Sequence, residues 1–71
     1  MTQLEVSYGY RTAPGNAEIR ALDGVRAVYG IRRVSFNPQD MIVKVEFDAS
    51  RLKEPVIASL LREAGMDIFA R

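Results

Sequence analysis

The stretch Gly30–Asp48, GIRRVSFNPQDMIVKVEFD, constrains the fold more than any other part of the chain. Val34 and Phe36 alternate with Arg33 and Ser35, and Asn37-Pro38-Gln39-Asp40 then breaks the run. Beyond the break, Met41, Val43, Val45 and Phe47 alternate with Ile42, Lys44 and Glu46. Successive side chains of a strand point to opposite faces, so two alternating runs about a turn-rich segment predict an antiparallel hairpin with one buried face. The rest of the chain must cover that face.

It has little material to do so. At 71 residues the chain is expected to form one domain over residues 1–71, near the lower size at which a hydrophobic core suffices without staples. There is no cysteine, which excludes disulfides, thiolate metal sites and thiol redox chemistry. There is no histidine, which removes the commonest transition-metal ligand and the commonest general base. The core therefore rests on packing among the 48% of residues that are apolar. A net charge of +1 gives no strong pull toward nucleic acid or anionic membrane. The segment MTQLEVSY lacks the pattern of a signal peptide, and no run approaches the roughly 18 apolar residues of a membrane span. A cytoplasmic protein is the expectation.

Taken in order, Leu4, Val6, Tyr8 and Tyr10 alternate with Glu5, Ser7 and Gly9 and predict a first strand. RTAPGN (11–16) is a loop running into a helix start, with Thr12 as the expected N-cap and Pro14 in the first turn. The period then changes. Ala17, Ala21, Val25 and Val28 share one helical face, flanked by Ile19 and Leu22, and predict a helix from about Ala13 to Tyr29. Asp23-Gly24 is its weak point; the rival reading ends the helix at Leu22 and begins a strand at Val25. After the hairpin, Leu52 tucks inward from a polar connection. A second helix is expected over Glu54–Ala64, with Pro55 in its first turn, Ile57, Leu60, Leu61 and Ala64 as its apolar stripe, and Gly65 as its stop. Met66–Ala70 suits an edge strand able to pair with another copy.

The order strand, helix, strand, strand, helix, strand predicts an α+β fold, the split β-α-β arrangement known as ferredoxin-like, with a four-stranded antiparallel sheet and two helices on one face. The first strand is expected between the third and second elements of the meander, reached by a right-handed crossover. The open face is predicted to carry Glu5, Ser7, Gly9, Arg33, Ser35, Ile42, Lys44 and Glu46.

From Gly30 to Asp67 the chain resembles the heavy-metal-associated (HMA) domain of copper chaperones and metal-transporting P-type ATPases. Gly30-Ile31 stands for the family's Gly-Val, Val34, Phe36, Val43, Val45 and Phe47 take the hairpin core positions, Asp48 closes the hairpin, and Glu63-Ala64-Gly65-Met66-Asp67 matches the second helix end. The resemblance implies metal binding through Cys-x-x-Cys at the loop into the first helix, but Pro14 and Ala17 stand at those positions. The family's usual Met before the first Cys is absent, the nearby residues being Tyr10, Arg11 and Thr12. Met66 replaces the aromatic residue that covers the family's metal loop.

Without thiolate or imidazole, high-affinity Cu(I) or Zn(II) binding is not expected, and no cofactor is expected. Met1, Met41 and Met66 are the only sulfur donors, and thioethers are weak ligands. No pair of titratable groups suggests catalysis, so no enzyme is expected. RNA-binding domains of this topology stack bases on open-face aromatics, and only Phe69 stands near that face. Two surfaces remain. Tyr10, Arg11, Thr12, Asn16 and Met66 form a candidate ligand or partner loop, where a helix N-terminus favours anions. Arg32, Arg33 and Lys44 form a candidate docking face for a protein partner. The expectation is a non-catalytic HMA-like binding or regulatory module, monomeric or weakly dimeric, with no nucleic-acid partner.

Overall fold

A computed structural model describes residues 3–70. Its elements are β1 (Gln3–Tyr10), α1 (Asn16–Arg26), β2 (Ile31–Asn37), β3 (Ile42–Asp48), α2 (Glu54–Glu63) and β4 (Ile68–Ala70), in the expected βαββαβ order. The sheet is antiparallel with strand order β2-β3-β1-β4. This corrects the expected place of the first strand. β1 lies between β3 and β4, because β2 and β3 stay paired from Ile31↔Phe47 to Asn37↔Ile42 and leave no gap to enter.

The alternation of the two central strands survives intact. Leu4↔Phe47, Val6↔Val45 and Tyr8↔Val43 pair on one face, and Glu5↔Glu46, Ser7↔Lys44 and Gly9↔Ile42 on the other. The first set faces the helices: Val43, Val45 and Phe47 form one core cluster with Leu22, Val25, Ile57 and Leu61. The hairpin turn is Pro38–Met41, with the Asn37 and Asp40 side chains hydrogen bonded across it at 3.1 Å. Met41 is its last residue rather than part of the strand. It adopts φ +52°, which brings the chain into β3, and its half-buried side chain still packs on the core.

α1 is shorter than expected at both ends. Its N-cap is Gly15, in extended conformation, and not Thr12. Pro14 disfavours helical geometry at Ala13, so the chain stays extended until Gly15. At the other end Ala27 caps the helix and Ala27–Gly30 is a turn, closed by the Ile31 amide donating to Val28 at 3.0 Å. The helix does pass through Gly24, so the rival strand from Val25 does not form. Its buried face is shifted by one residue: Leu22 and Val25 are buried, whereas Ala17 and Ala21 are exposed. Alanine offers little area to bury, so the larger Leu22 decides the orientation. α2 matches expectation, with Ile57, Leu61 and Ala64 buried and Leu60 half-buried. Gly65, at φ +99°, lets the Met66 amide donate back to Leu61 at 3.1 Å. β4 begins only at Ile68, and Met66 is part of the core.

Gly30 locks the two halves together. It sits at φ +103°, its carbonyl accepts the Asp48 amide at 2.8 Å, and a Cβ there would come within 2.9 Å of Leu52 Cδ1. Leu52 thus tucks inward as expected and covers the glycine. Gly30→Ala is expected to lower the unfolding free energy by roughly 1–3 kcal/mol, through the disfavoured dihedral and the clash. Gly24→Ala, where an added Cβ meets nothing within 4 Å, is expected to raise it by about 0.5–1 kcal/mol. Urea denaturation of the two variants measures both.

Candidate functional site

The loop from β1 into α1 brings together most of the first candidate set, but turns much of it inward. Tyr10 is 3% exposed, edge-on to Phe36 with ring centroids 6.1 Å apart, and its amide donates to Met41 at 3.0 Å. Arg11 is engaged with the chain's end segment. Its amide donates to the Asp67 carbonyl at 3.1 Å, its guanidinium lies 3.2 Å from Asp67 Oδ1, and it covers the Phe69 ring at 4.8 Å. Phe69, paired across from Gly9, is therefore covered by Arg11 on one side. Thr12 and Asn16 are exposed, and Met66 is 4% exposed among core residues, so its thioether faces the interior.

At the two positions that the sequence resemblance sets against the HMA cysteines, Pro14 is half-buried and Ala17 exposed. Pro14 lines an apolar recess of about 300 Å³ with Tyr10, Ala13, Ile19, Phe36 and Pro38. No atom of that lining set is a strong metal donor apart from the Tyr10 hydroxyl. Among the described residues, no group of three His, Cys, Asp or Glu side chains is placed to hold a metal ion.

The N-terminus of α1 carries its own anion. Glu18 Oε1 accepts the Gly15 amide at 2.8 Å, the half of a capping box that remains when the cap residue has no side chain. The Glu18 side chain lies over Gly65, just beyond α2, where an added Cβ would come within 3.1 Å of its Cγ. A carboxylate fixed at a helix N-terminus satisfies the dipole and repels a second anion.

The candidate docking cations are dispersed rather than gathered. Arg33 stands opposite Glu46 in the ladder, and Lys44 opposite Ser35 with Glu5 Oε1 at 3.9 Å, so each has an acidic neighbour on the open face. The predicted open-face residues are all on that face, with cations and acids interleaved. Arg32 falls in a bulge between Ile31 and Arg33 and lines a separate cleft with Arg26, Tyr29, Asp48 and Arg51. Alternation could not reveal that cleft, because its residues come from a helix end, a strand start and a loop. An exposed tyrosine between a helix and a glycine was its one local signal.

Among the described residues, two groups are shifted from their ordinary pKa. Burial pushes the Tyr8 hydroxyl up, helped by Glu54 and opposed by Arg62; this hydroxyl donates to the Glu54 carbonyl at 3.5 Å. Asp48 is held below the usual carboxylate range. The Ser50 hydroxyl, donating at 2.6 Å, is the main cause, followed by the Ser50 amide at 3.0 Å; desolvation opposes them, and Arg51 and Arg32 add to the lowering.

A carboxylate with a lowered folded pKa stabilises the native state above its unfolded pKa, and this is lost as pH falls through the folded value. Asp48→Asn is therefore expected to destabilise the chain at neutral pH, with the gap to wild type shrinking below about pH 4; denaturation midpoints across that range check it. At the α1 terminus, sulfate is expected to leave the Arg11–Ala17 amide signals of the wild type unshifted. Glu18→Ala is expected to cost about 1 kcal/mol through the lost charge-assisted hydrogen bond, measurable by urea denaturation.

No family model and no curated protein matches the chain. Solved structures do. Oxidized MerP from Ralstonia metallidurans CH34 superposes with a TM-score of 0.77 at 15% identity, covering 99% of each chain. The apo HMA domain of the copper chaperone for superoxide dismutase superposes with a TM-score of 0.70 at 19% identity, covering 99% of this chain and 68% of that one. At these identities the likeness concerns the backbone: the chain has an HMA-like ferredoxin fold.

Proposed function

We propose that this chain is a non-catalytic docking or regulatory module on an HMA-like scaffold whose cysteine metal site has been lost. It acts through protein contacts, in connection with metal transport or detoxification, as a cytoplasmic monomer or weak dimer. The observation that carries this reading is the state of the loop that matches the family's ligand segment. Pro14 and Ala17 replace the ligands, Pro14 lines an apolar recess, and Glu18 satisfies the helix terminus where an anionic site would form. The scaffold around the loop keeps its register, with Gly30, Asp48 and Gly65 in their shaping roles.

The test is an amide-resolved NMR titration with Cu(I), Zn(II) and Ni(II) under reducing conditions. A flat response is expected for all three ions. Micromolar binding with shifts confined to Tyr10–Ala17 and Met66 would replace this reading with a metal carrier using non-cysteine ligands.

A further inference from the structure

Although the chain is almost neutral, its cations are unevenly placed. The cleft where the end of α1, the start of β2 and the loop after β3 meet has a volume of about 400 Å³. Its charged lining is three arginines, Arg26, Arg32 and Arg51, with the carboxylate of Asp48, and Asp23 lies 3.0 Å from Arg26 beside it, so cations outnumber acids by three to two. By contrast, the open-face cleft is lined by Lys44 and Asp40 as its only charged residues, and the cleft beside Leu4 by Lys53 against Glu5 and Glu54.

We infer that this arginine cleft is the chain's docking surface and that its partner is an acidic segment of another protein, whose carboxylates pair with the three guanidiniums around Tyr29. The inference rests on the docking reading above and names its surface. Arg32 forms no ion pair among the described residues, although the bulge sets it into the cleft. Arg26 and Arg51 are engaged with Asp23 at 3.0 Å and Asp48 at 3.5 Å. The Arg26–Asp23 pair is largely solvated and contributes little, so its exchange for an incoming carboxylate costs little. Asp48 is only 21% exposed and is also held by Ser50, so Arg51 keeps that pair through Nε and meets the partner with its remaining N–H donors. Tyr29 is 73% exposed, and Arg51 lies 4.3 Å over its ring, holding an apolar surface open to solvent at the cleft's rim. Tyrosine and arginine are the side chains that concentrate binding energy at protein interfaces.

The chemistry also selects among anions. Asp48 and Asp23 stand among the arginines and would repel a doubly charged phosphate or a continuous nucleic-acid backbone, whereas singly charged carboxylates on a flexible chain can be spaced around them. A second copy docked about a twofold axis would set arginine against arginine, since such a contact presents the same patch from both sides.

The test titrates the full isotope-labelled chain with a synthetic glutamate-rich peptide, its glutamine counterpart, inorganic phosphate and a single-stranded oligonucleotide. The expected result is peptide-induced shifts at Tyr29–Arg32 and Arg51, absent with the glutamine peptide and weakened by salt. Arg32→Glu is expected to weaken binding by about tenfold or more, and Tyr29→Ala to weaken it as well. Both side chains are exposed, and unchanged β1 and β3 signals confirm that the variants fold. Absence of peptide binding overturns the inference, as does equal or tighter binding of phosphate or oligonucleotide. So does concentration-dependent self-association through this cleft, detected by sedimentation and abolished by Arg32→Glu. Peptide shifts confined to Arg11–Ala17 overturn this surface while leaving the docking reading in place, whereas micromolar metal binding removes the docking reading itself.

Discussion

Burial of the β3 stripe is the interaction on which the rest of the structure depends. Val43 and Val45 are wholly excluded from solvent, and Phe47 nearly so, in one cluster with Leu22, Val25, Ile57 and Leu61 from the two helices. With no disulfide and no thiolate metal site available, this apolar burial must offset the conformational entropy of the whole chain. It also explains the economy of the fold. β3 is a central strand whose inner-face residues Val43, Val45 and Phe47 join the core cluster, while its outer face carries Ile42, Lys44 and Glu46. Gly30 and Gly65 are the points at which the helices are turned back onto the sheet, and both require backbone geometry that other residues adopt at a cost.

The segment between β1 and α1 is tied down by contacts within the chain. In this fold a loop running into a helix start presents free amides to whatever lies above it. Here Glu18 accepts one of those amides, Tyr10 turns inward onto Phe36, and Arg11 is drawn away to Asp67 and Phe69. Each of these groups is engaged in an intramolecular contact. The loop thereby becomes a packing element joining the start of α1 to the end of α2.

Charge follows a different logic from packing. Cations and acids interleave on the open sheet face, where cross-strand and diagonal neighbours such as Arg33–Glu46 and Lys44–Glu5 offset one another. Three arginines, Arg26, Arg32 and Arg51, line one cleft at the far end of α1, beside the hairpin's closing corner. A net charge near zero thus conceals a local excess, and the excess coincides with the most exposed large apolar-bodied side chain among the described residues, Tyr29.

The sequence by itself determined the hairpin, the two faces of the sheet, the element order, the bounds of α2 and the shaping glycines. These follow from periodicities of two and of 3.6 residues and from local turn chemistry, which act between near neighbours. Only the tertiary structure decided which side of α1 is buried, because Ala17 and Ala21 carry too little apolar area to compete with Leu22 once the sheet is present. It alone placed β1 beside β4, moved the helix cap from Thr12 to Gly15 with Glu18, and set Arg32 in a bulge away from the ladder's alternation. It alone brought Arg26, Tyr29, Arg32 and Arg51 around one cleft. A bulge shifts register by one residue without leaving a mark on hydrophobic pattern, and a convergence of distant side chains is set by packing rather than by their spacing along the chain.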